Sequence, residues 1–185
     1  MFYALEGKIV VKKNGFVVLN IAGIHFSITV SVLTYLGIEL NQKIKLFVEL
    51  VVSENGFRLY GFLSEEEKYL FNELRKISKI GTRTAISILS KFSPQELKYV
   101  IANKKTEQLL NVPGVGKKTA STIILEMSDK VLASDEKLIE VLDVLTNNLG
   151  FSKEQAFPVL DKIYHQKPDL DMANLLKETL KNLKQ

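Results

Sequence analysis

From Phe2 to about Leu63 apolar and polar residues alternate with the period of two that strands require. The runs are Lys8-Ile9-Val10-Val11, Phe16-Val17-Val18-Leu19, His25-Phe26-Ser27-Ile28-Thr29-Val30, Ile44-Lys45-Leu46-Phe47-Val48 and Phe57-Arg58-Leu59-Tyr60-Gly61-Phe62. Asn14-Gly15, Ala22-Gly23, Asn41 and Asn55-Gly56 separate them. Asn-Gly between apolar runs is the strongest short-range hairpin signal. Five short strands in about sixty residues predict a small closed barrel of the oligonucleotide/oligosaccharide-binding (OB) type, because an open sheet of that size leaves its edges exposed.

After Leu63 the period becomes helical. Ser64 with Glu67, and Ser93 with Pro94 and Glu96, form capping-box signatures that open two helices. Displaced by 35 residues, I77-S-K-I-G-T-R-T-A-I-S-I-L89 aligns with V112-P-G-V-G-K-K-T-A-S-T-I-I124. Gly81/Gly116, Thr84/Thr119, Ala85/Ala120 and Ile88/Ile123 are identical, while Ile77/Val112, Ile80/Val115 and Arg83/Lys118 are alike in kind. The segment therefore repeats a helix, a short hairpin and a second helix. A third set of helices follows: Leu138, Val141, Leu142 and Leu145 share a face, Gly150 ends that helix, Ser152 with Gln155 caps the next and Asp171 the last. Pro158 is expected to kink or shorten the middle helix of the set. The expected division is a barrel at 1–63, an all-helical hairpin domain at 64–130, a short linker at 131–135 and a three-helix domain at 136–185.

Composition narrows the chemistry. Of 185 residues 46% are hydrophobic and 25% charged, which places the chain in the globular range. No apolar run reaches the length of a membrane span, and Glu6 interrupts the N-terminal stretch MFYALEGKIV where a signal peptide would be basic and then apolar, so a soluble cytoplasmic protein is expected. Cysteine is absent and the two histidines, His25 and His165, lie far apart, which removes disulfides, thiolate sites and an evident zinc site; no cofactor is expected. The formal charge of +4 is modest, but its placement is not uniform. Arg75, Lys76, Lys79, Arg83 and Lys91 occur without an acid between them, and Lys104, Lys105, Lys117 and Lys118 face only Glu107. The repeat is the basic part of the chain, as a polyanion-binding surface requires.

In N111-V-P-G-V-G-K-K-T-A120 the proline sets a tight turn and Gly114 and Gly116 allow a close backbone approach. The amides of Gly116, Lys117 and Lys118 then open a helix, where free N–H groups, the helix dipole and two lysines converge on an anion such as phosphate. An ATP-binding P-loop is excluded, because it needs glycine at position 111 and Ser or Thr at 118, which hold Asn111 and Lys118. One such hairpin is as well read as a plain connector with solvated lysines. Two in the basic region point to phosphates on both strands of a duplex, contacts that position a protein without reading bases.

The tandem hairpins resemble helix-hairpin-helix motifs. Preceded by L59-Y-G-F62 closing a five-stranded barrel and followed by a three-helix segment with L149-G-F151, they resemble the RuvA family of Holliday-junction-binding subunits over the whole chain. The resemblance implies a mixed multi-domain architecture: an N-terminal five-stranded OB-type β-barrel, a central all-α tandem helix-hairpin-helix domain and a C-terminal three-helix (UBA-like) domain. It implies a non-catalytic homotetramer, with an octamer on DNA as the variant, that holds a four-way junction open and square. It also implies recruitment of the hexameric RuvB ATPase through the C-terminal domain for branch migration in recombination and repair, with the RuvC resolvase as a further candidate partner. The DNA-binding positions carried over are Lys79, Ile80, Gly81, Thr82, Arg83 and Thr84 in the first hairpin and Gly114, Val115, Gly116, Lys117, Lys118 and Thr119 in the second. Leu149, Phe151, Val159, Leu160 and Leu176 are the candidate partner contacts.

The family also places two neighbouring acids on a barrel loop at the junction centre, where they repel phosphates. Here the matching positions hold Glu54 and Asn55, so one charge is missing, and Glu54-Asn55-Gly56 also reads as a plain hairpin turn. Lys79 replaces the glycine usual in the first hairpin, at a cost of about 1 kcal/mol if its φ is positive. The link before the third domain is short for the family. Two other readings exist. A DNA glycosylase would use a similar hairpin with an aspartate such as Asp129 or Asp135, but the barrel occupies the place of its base pocket. A single-strand-binding barrel would stack bases on Phe16, Phe26, Phe47 and Phe57, whose alternation instead suits core positions.

Overall fold

The computed structural model describes residues 2–54, 56–133, 136–167 and 170–183. Asn55, Ser134 and Asp135, and the side chain of Asp129, lie outside the described residues. The chain forms two compact units, one of residues 1–97 and 106–123, the other of 98–105 and 124–185.

The first unit opens with β1 (Ala4–Lys13), β2 (Phe16–Ile21), β3 (Ile24–Val30), β4 (Lys43–Ser53) and β5 (Gly56–Phe62), closed into a barrel in the order β1-β2-β3-β5-β4. All neighbours are antiparallel except β3 and β5, which pair in parallel from Ile28↔Leu59 to Val30↔Gly61. Closure at that seam needs glycine: a Cβ on Gly61 would sit 2.5 Å from Ile28 Cγ2, which explains the glycine of L-Y-G-F. Ile9, Val17, Leu19, Ile28, Ile38, Leu46 and Val48 fill the interior with no exposed surface. Between β3 and β4 lies α1 (Val32–Leu36), begun by Ser31, whose Oγ accepts from the Thr34 N–H at 3.0 Å.

The barrel and both hairpins fall in one compact unit. Helix α2 (Glu65–Lys76) is anchored on β5 by Phe71, whose ring lies 5.1 Å from that of Tyr60 and 5.0 Å from that of Phe62. Beside it Glu67 is buried, and its carboxylate accepts from Ser31 Oγ at 3.0 Å, Thr34 Oγ1 at 2.9 Å and the Leu63 N–H at 3.1 Å. The Ser64 box is thus half made. Glu67 N–H donates to Ser64 Oγ, but the carboxylate serves the preceding loop and α1. Burial pushes the Glu67 carboxyl above its ordinary range, opposed by the hydrogen bonds from Leu63, Thr34 and Ser31. Lys68 pairs with Glu49 at 3.6 Å across the same joint. Helices α3 (Thr82–Lys91), α4 (Pro94–Ala102), α5 (Thr106–Leu109) and α6 (Lys117–Ala133) follow. At the start of α4 both halves of the box form: the Ser93 N–H donates to Glu96 at 2.8 Å and the Glu96 N–H to Ser93 Oγ at 3.3 Å.

Helix α6 takes in Val131, Leu132 and Ala133, the first three residues expected to be a linker, because no breaker stands there and Val131 is buried. In the second unit α7 (Glu136–Asp143), a π-helical turn (Val144–Asn148), α8 (Lys153–Gln166) and α9 (Met172–Leu183) enclose a core of Leu138, Val141, Leu145, Ala156, Leu160 and Leu175. The Ser152–Gln155 capping box is complete and Asp171 accepts from the Asn174 N–H at 2.8 Å. Helix α8 runs through Pro158 for its full 14 residues, so the expected shortening does not occur. The proline is the sixth residue of the helix and removes one hydrogen bond, while Ala156, Leu160 and Ile163 hold the helix to the core. No helix among the described residues is long and apolar enough to cross a membrane.

Candidate nucleic-acid interface

The sequence repeat is a repeat of backbone geometry. In the first hairpin the Ile80 N–H donates to Ile77 O at 3.1 Å; in the second the Val115 N–H donates to Val112 O at 3.0 Å. The third residue of each turn has positive φ, +70° at Lys79 and +87° at Gly114, the signature of a type II turn with Pro113 in its favoured position. Each helix then begins with an equivalent bond, Ala85 N–H to Gly81 O at 3.0 Å and Ala120 N–H to Gly116 O at 2.8 Å. Even the exposed hydroxyls match, Ser87 Oγ donating to Arg83 O and Thr122 Oγ1 to Lys118 O. Packing sets both turns: Ile77, Ile80, Val112 and Val115 are buried, and Ala85 and Ala120 are wholly so.

The same arrangement leaves the turn and the helix start open. Gly81 is the N-cap of α3 and makes no side-chain capping bond, so first-turn amides keep their donors, and Gly116 has no side chain with which to cap α6. Lys79, Gly81 and Arg83 are exposed, as are Gly114, Gly116, Lys117 and Lys118; Thr82, Thr84 and Thr119 are half-buried. Ile80 and Val115 are buried, so of these two only the backbone faces a ligand. No acid pairs with Lys79, Arg83, Lys117 or Lys118 among the described residues. The two hairpins also meet, since a Cβ on Gly114 would lie 3.4 Å from Thr84 Oγ1. Two anion-receptive helix N-termini with four unpaired cations therefore stand together on one unit.

The barrel contributes a second feature. Glu54 is exposed at the end of the β4–β5 hairpin, next to the rung Ser53↔Gly56; Asn55 lies outside the described residues. Of the phenylalanines expected in the core, only Phe26 packs against it; Phe16 and Phe47 are half-buried on the alternate face, beside the wholly buried Val17 and between the wholly buried Leu46 and Val48, while Phe57 is 80% exposed and its partner across the ladder, Val52, 74%. The core position expected of Phe57 is wrong because β4 continues to Ser53 and carries this pair beyond the last rung shared with β3.

In the second unit Leu149 is exposed, and Phe151, Val159 and Leu176 are half-buried against the core. Leu160 is wholly buried there, so it has no surface to offer a partner and is corrected to a core residue. Leu176 borders a groove of about 360 Å³ on α9, lined also by Ala173, Lys177, Leu180 and Lys181.

A closed OB-type barrel joined to paired, anion-receptive hairpins defines a tandem helix-hairpin-helix protein. Residues 71–129 match the family model of the SAM-like helix-hairpin-helix tandem, and residues 1–61 match that of the RuvA N-terminal domain. The chain is 35% identical over 181 residues to the Holliday junction branch migration complex subunit RuvA of Thermodesulfovibrio yellowstonii, covering 95% of this chain and 93% of the relative. It is 33% identical over 186 residues to the subunit of the same name from Fervidobacterium nodosum, covering 99% and 98%. With that of Helicobacter acinonychis it shares 36% over 167 residues, 90% of each. The chain belongs to the RuvA family.

Proposed function

We propose that the chain is the non-catalytic, structure-specific DNA-binding subunit of a branch-migration complex. Four copies surround one four-way junction, each holding an arm through its two hairpins. The observation that carries this reading is the pair of matching, uncapped helix N-termini with unpaired cations in one unit. Such sites grip phosphates irrespective of sequence, and a tetramer multiplies weak grips into a tight one. Glu54 stands at the junction centre and repels phosphates there; Asn55 in place of a second acid leaves that repulsion weaker. The name shared by the relatives supports the assignment to junctions.

The C-terminal helices recruit the RuvB ATPase, which supplies the motor, in the cytoplasm during recombination and repair. The exposed Leu149 and the groove beside Leu176 support this, an apolar surface rimmed by Lys177 and Lys181. RuvC is a further partner at the same junction.

The test compares four-way, linear duplex and single-stranded DNA of matched sequence, with light scattering of the free protein. A tetramer with strong preference for the four-way form at moderate salt is expected. Equal affinity for duplex, or a monomer that binds junctions as tightly, would overturn the reading. Deleting the residues after Ser134 should leave junction binding nearly intact and abolish ATP-driven branch migration with RuvB.

A further inference from the structure

The end of the β4–β5 hairpin is a free-standing finger. β4 is bonded to β1 and the residue before it only up to Val48, whose N–H donates to Tyr3 O at 3.0 Å, and β5 pairs with β3 only from Leu59 onward. The rungs Val51↔Arg58, Val52↔Phe57 and Ser53↔Gly56 have no third strand beside them and extend about 10 Å. On this finger Val52 and Phe57 form one directly opposed apolar pair, and the Phe57 ring makes no contact with another aromatic among the described residues. Arg58 belongs to the alternate rung and faces the other side, exposed and without an acidic partner among the described residues.

Nothing among the described residues of the barrel requires an aromatic residue at this place, since Ser53 Oγ donates to Gly56 O at 3.1 Å across the turn and the core is closed below it. A second protein chain is a poor occupant. Stable protein interfaces bury about 800 Å² on each partner, and one ring with one valine offers a small part of that. A flat heteroaromatic ring fits the size and chemistry of the patch, and the cation on the reverse of the finger complements the phosphates that accompany such a ring in nucleic acid.

We infer that Phe57, backed by Val52, is a stacking platform for an unpaired nucleobase, with Arg58 meeting the adjacent backbone. This rests on the four-way-junction reading, in which the finger stands where strands exchange and bases are momentarily unpaired. The aromatic surface then holds the separated strand on the finger, while Glu54 keeps phosphates off its tip.

The chain contains no tryptophan, so Phe57→Trp installs a unique fluorophore in the full-length protein. Its emission should be quenched on saturation with a four-way junction carrying unpaired central bases, and not with linear duplex. Phe57→Leu, which keeps the apolar character and loses the stacking face, should bind that junction roughly tenfold more weakly, while duplex binding stays unchanged. Unaltered indole emission from the Phe57→Trp protein on a bound junction, or Phe57→Leu binding like the parent, would overturn the inference and leave the junction reading standing. A changed oligomeric state of Phe57→Leu in light scattering would overturn it in favour of a contact between copies. If the unmodified chain fails to prefer junction over duplex, the fault lies with the junction reading itself.

Discussion

The two hairpins share a backbone and differ in chemistry. The second reaches its positive φ with glycine after proline, the pair that a type II turn favours. The first reaches the same φ with Ser78 and Lys79, at a cost of about 1 kcal/mol for a side chain in the left-handed region. Turn geometry in this protein is therefore imposed by the buried pairs Ile77/Ile80 and Val112/Val115 and only eased by glycine. Charge differs as well: the second hairpin has two cations at the helix start, the first has Arg83 there and Lys79 at the apex. The second should be the stronger phosphate clamp.

The largest effect that separates them is expected from backbone access. A Cβ on Gly116 meets nothing within 4 Å inside the protein, and its φ is not positive, so Gly116→Val should fold and melt like the parent. On DNA the added side chain stands where the phosphate meets the amides. Losing two charge-assisted bonds should weaken junction binding roughly a hundredfold. Gly81→Val, equally open, should lose less. Equal losses would erase the ranking, and no loss from either would remove the amides from the interface.

Next come the cations. Lys117→Ala with Lys118→Ala should lower the slope of log affinity against log salt by about two for each arm engaged, and Arg83→Ala by about one, for junctions of any sequence. Both changes should leave unfolding untouched, since these side chains are exposed and without ion pairs among the described residues. Salt titrations in which Arg83→Ala costs more than the double change would reverse the comparison.

Most of this arrangement is legible in the sequence, for local reasons. The repeat, the two turns and the capping residues Ser93, Ser152 and Asp171 depend on neighbours within a few positions, and Asn-Gly and alternation mark the strands. What is not legible depends on distant partners. Helix α1 has five residues, too few for a period to register. Glu67 reads as half of a capping box, yet its carboxylate is engaged by Ser31 and Thr34, more than thirty positions earlier. Phe57 reads as a core residue because alternation gives the side of a strand and says nothing of where the neighbouring strand stops. Leu160 reads as surplus apolar surface until α7 and α9 close over it.

A smaller effect tests the strain. Lys79→Gly relieves the left-handed side chain and should raise stability by about 1 kcal/mol less the entropy that glycine adds to the unfolded chain, a gain of at most about 2–4 °C in Tm. Gly114→Lys should do the opposite by a similar amount, because its φ of +87° strains any side chain while its Cβ makes only ordinary contact with Thr84. Thermal unfolding in which both changes are neutral would mean that φ at these turns is set without cost.

The smallest effect concerns how the first hairpin is carried. Helix α2, which leads into it, is seated on the barrel by the buried Glu67, whereas α5, which leads into the second, is a four-residue turn. Burial raises the Glu67 carboxyl above its unfolded value. A raised carboxyl contributes stability that is complete in acid and is lost as pH climbs through its folded titration, since the folded state resists ionisation more than the unfolded one does. Glu67→Gln cannot ionise, and its amide nitrogen cannot accept from the Leu63 N–H, so it should be less stable than the parent in acid. As pH rises from about 4 to 8 the parent loses its advantage and the gap between the two should narrow. Denaturant unfolding of both proteins across that range decides the sign. A gap that widens with pH would mean that the hydrogen bonds from Ser31, Thr34 and Leu63 outweigh burial and hold Glu67 ionised, making the joint under the first hairpin a clamp on charge and not a neutral plug.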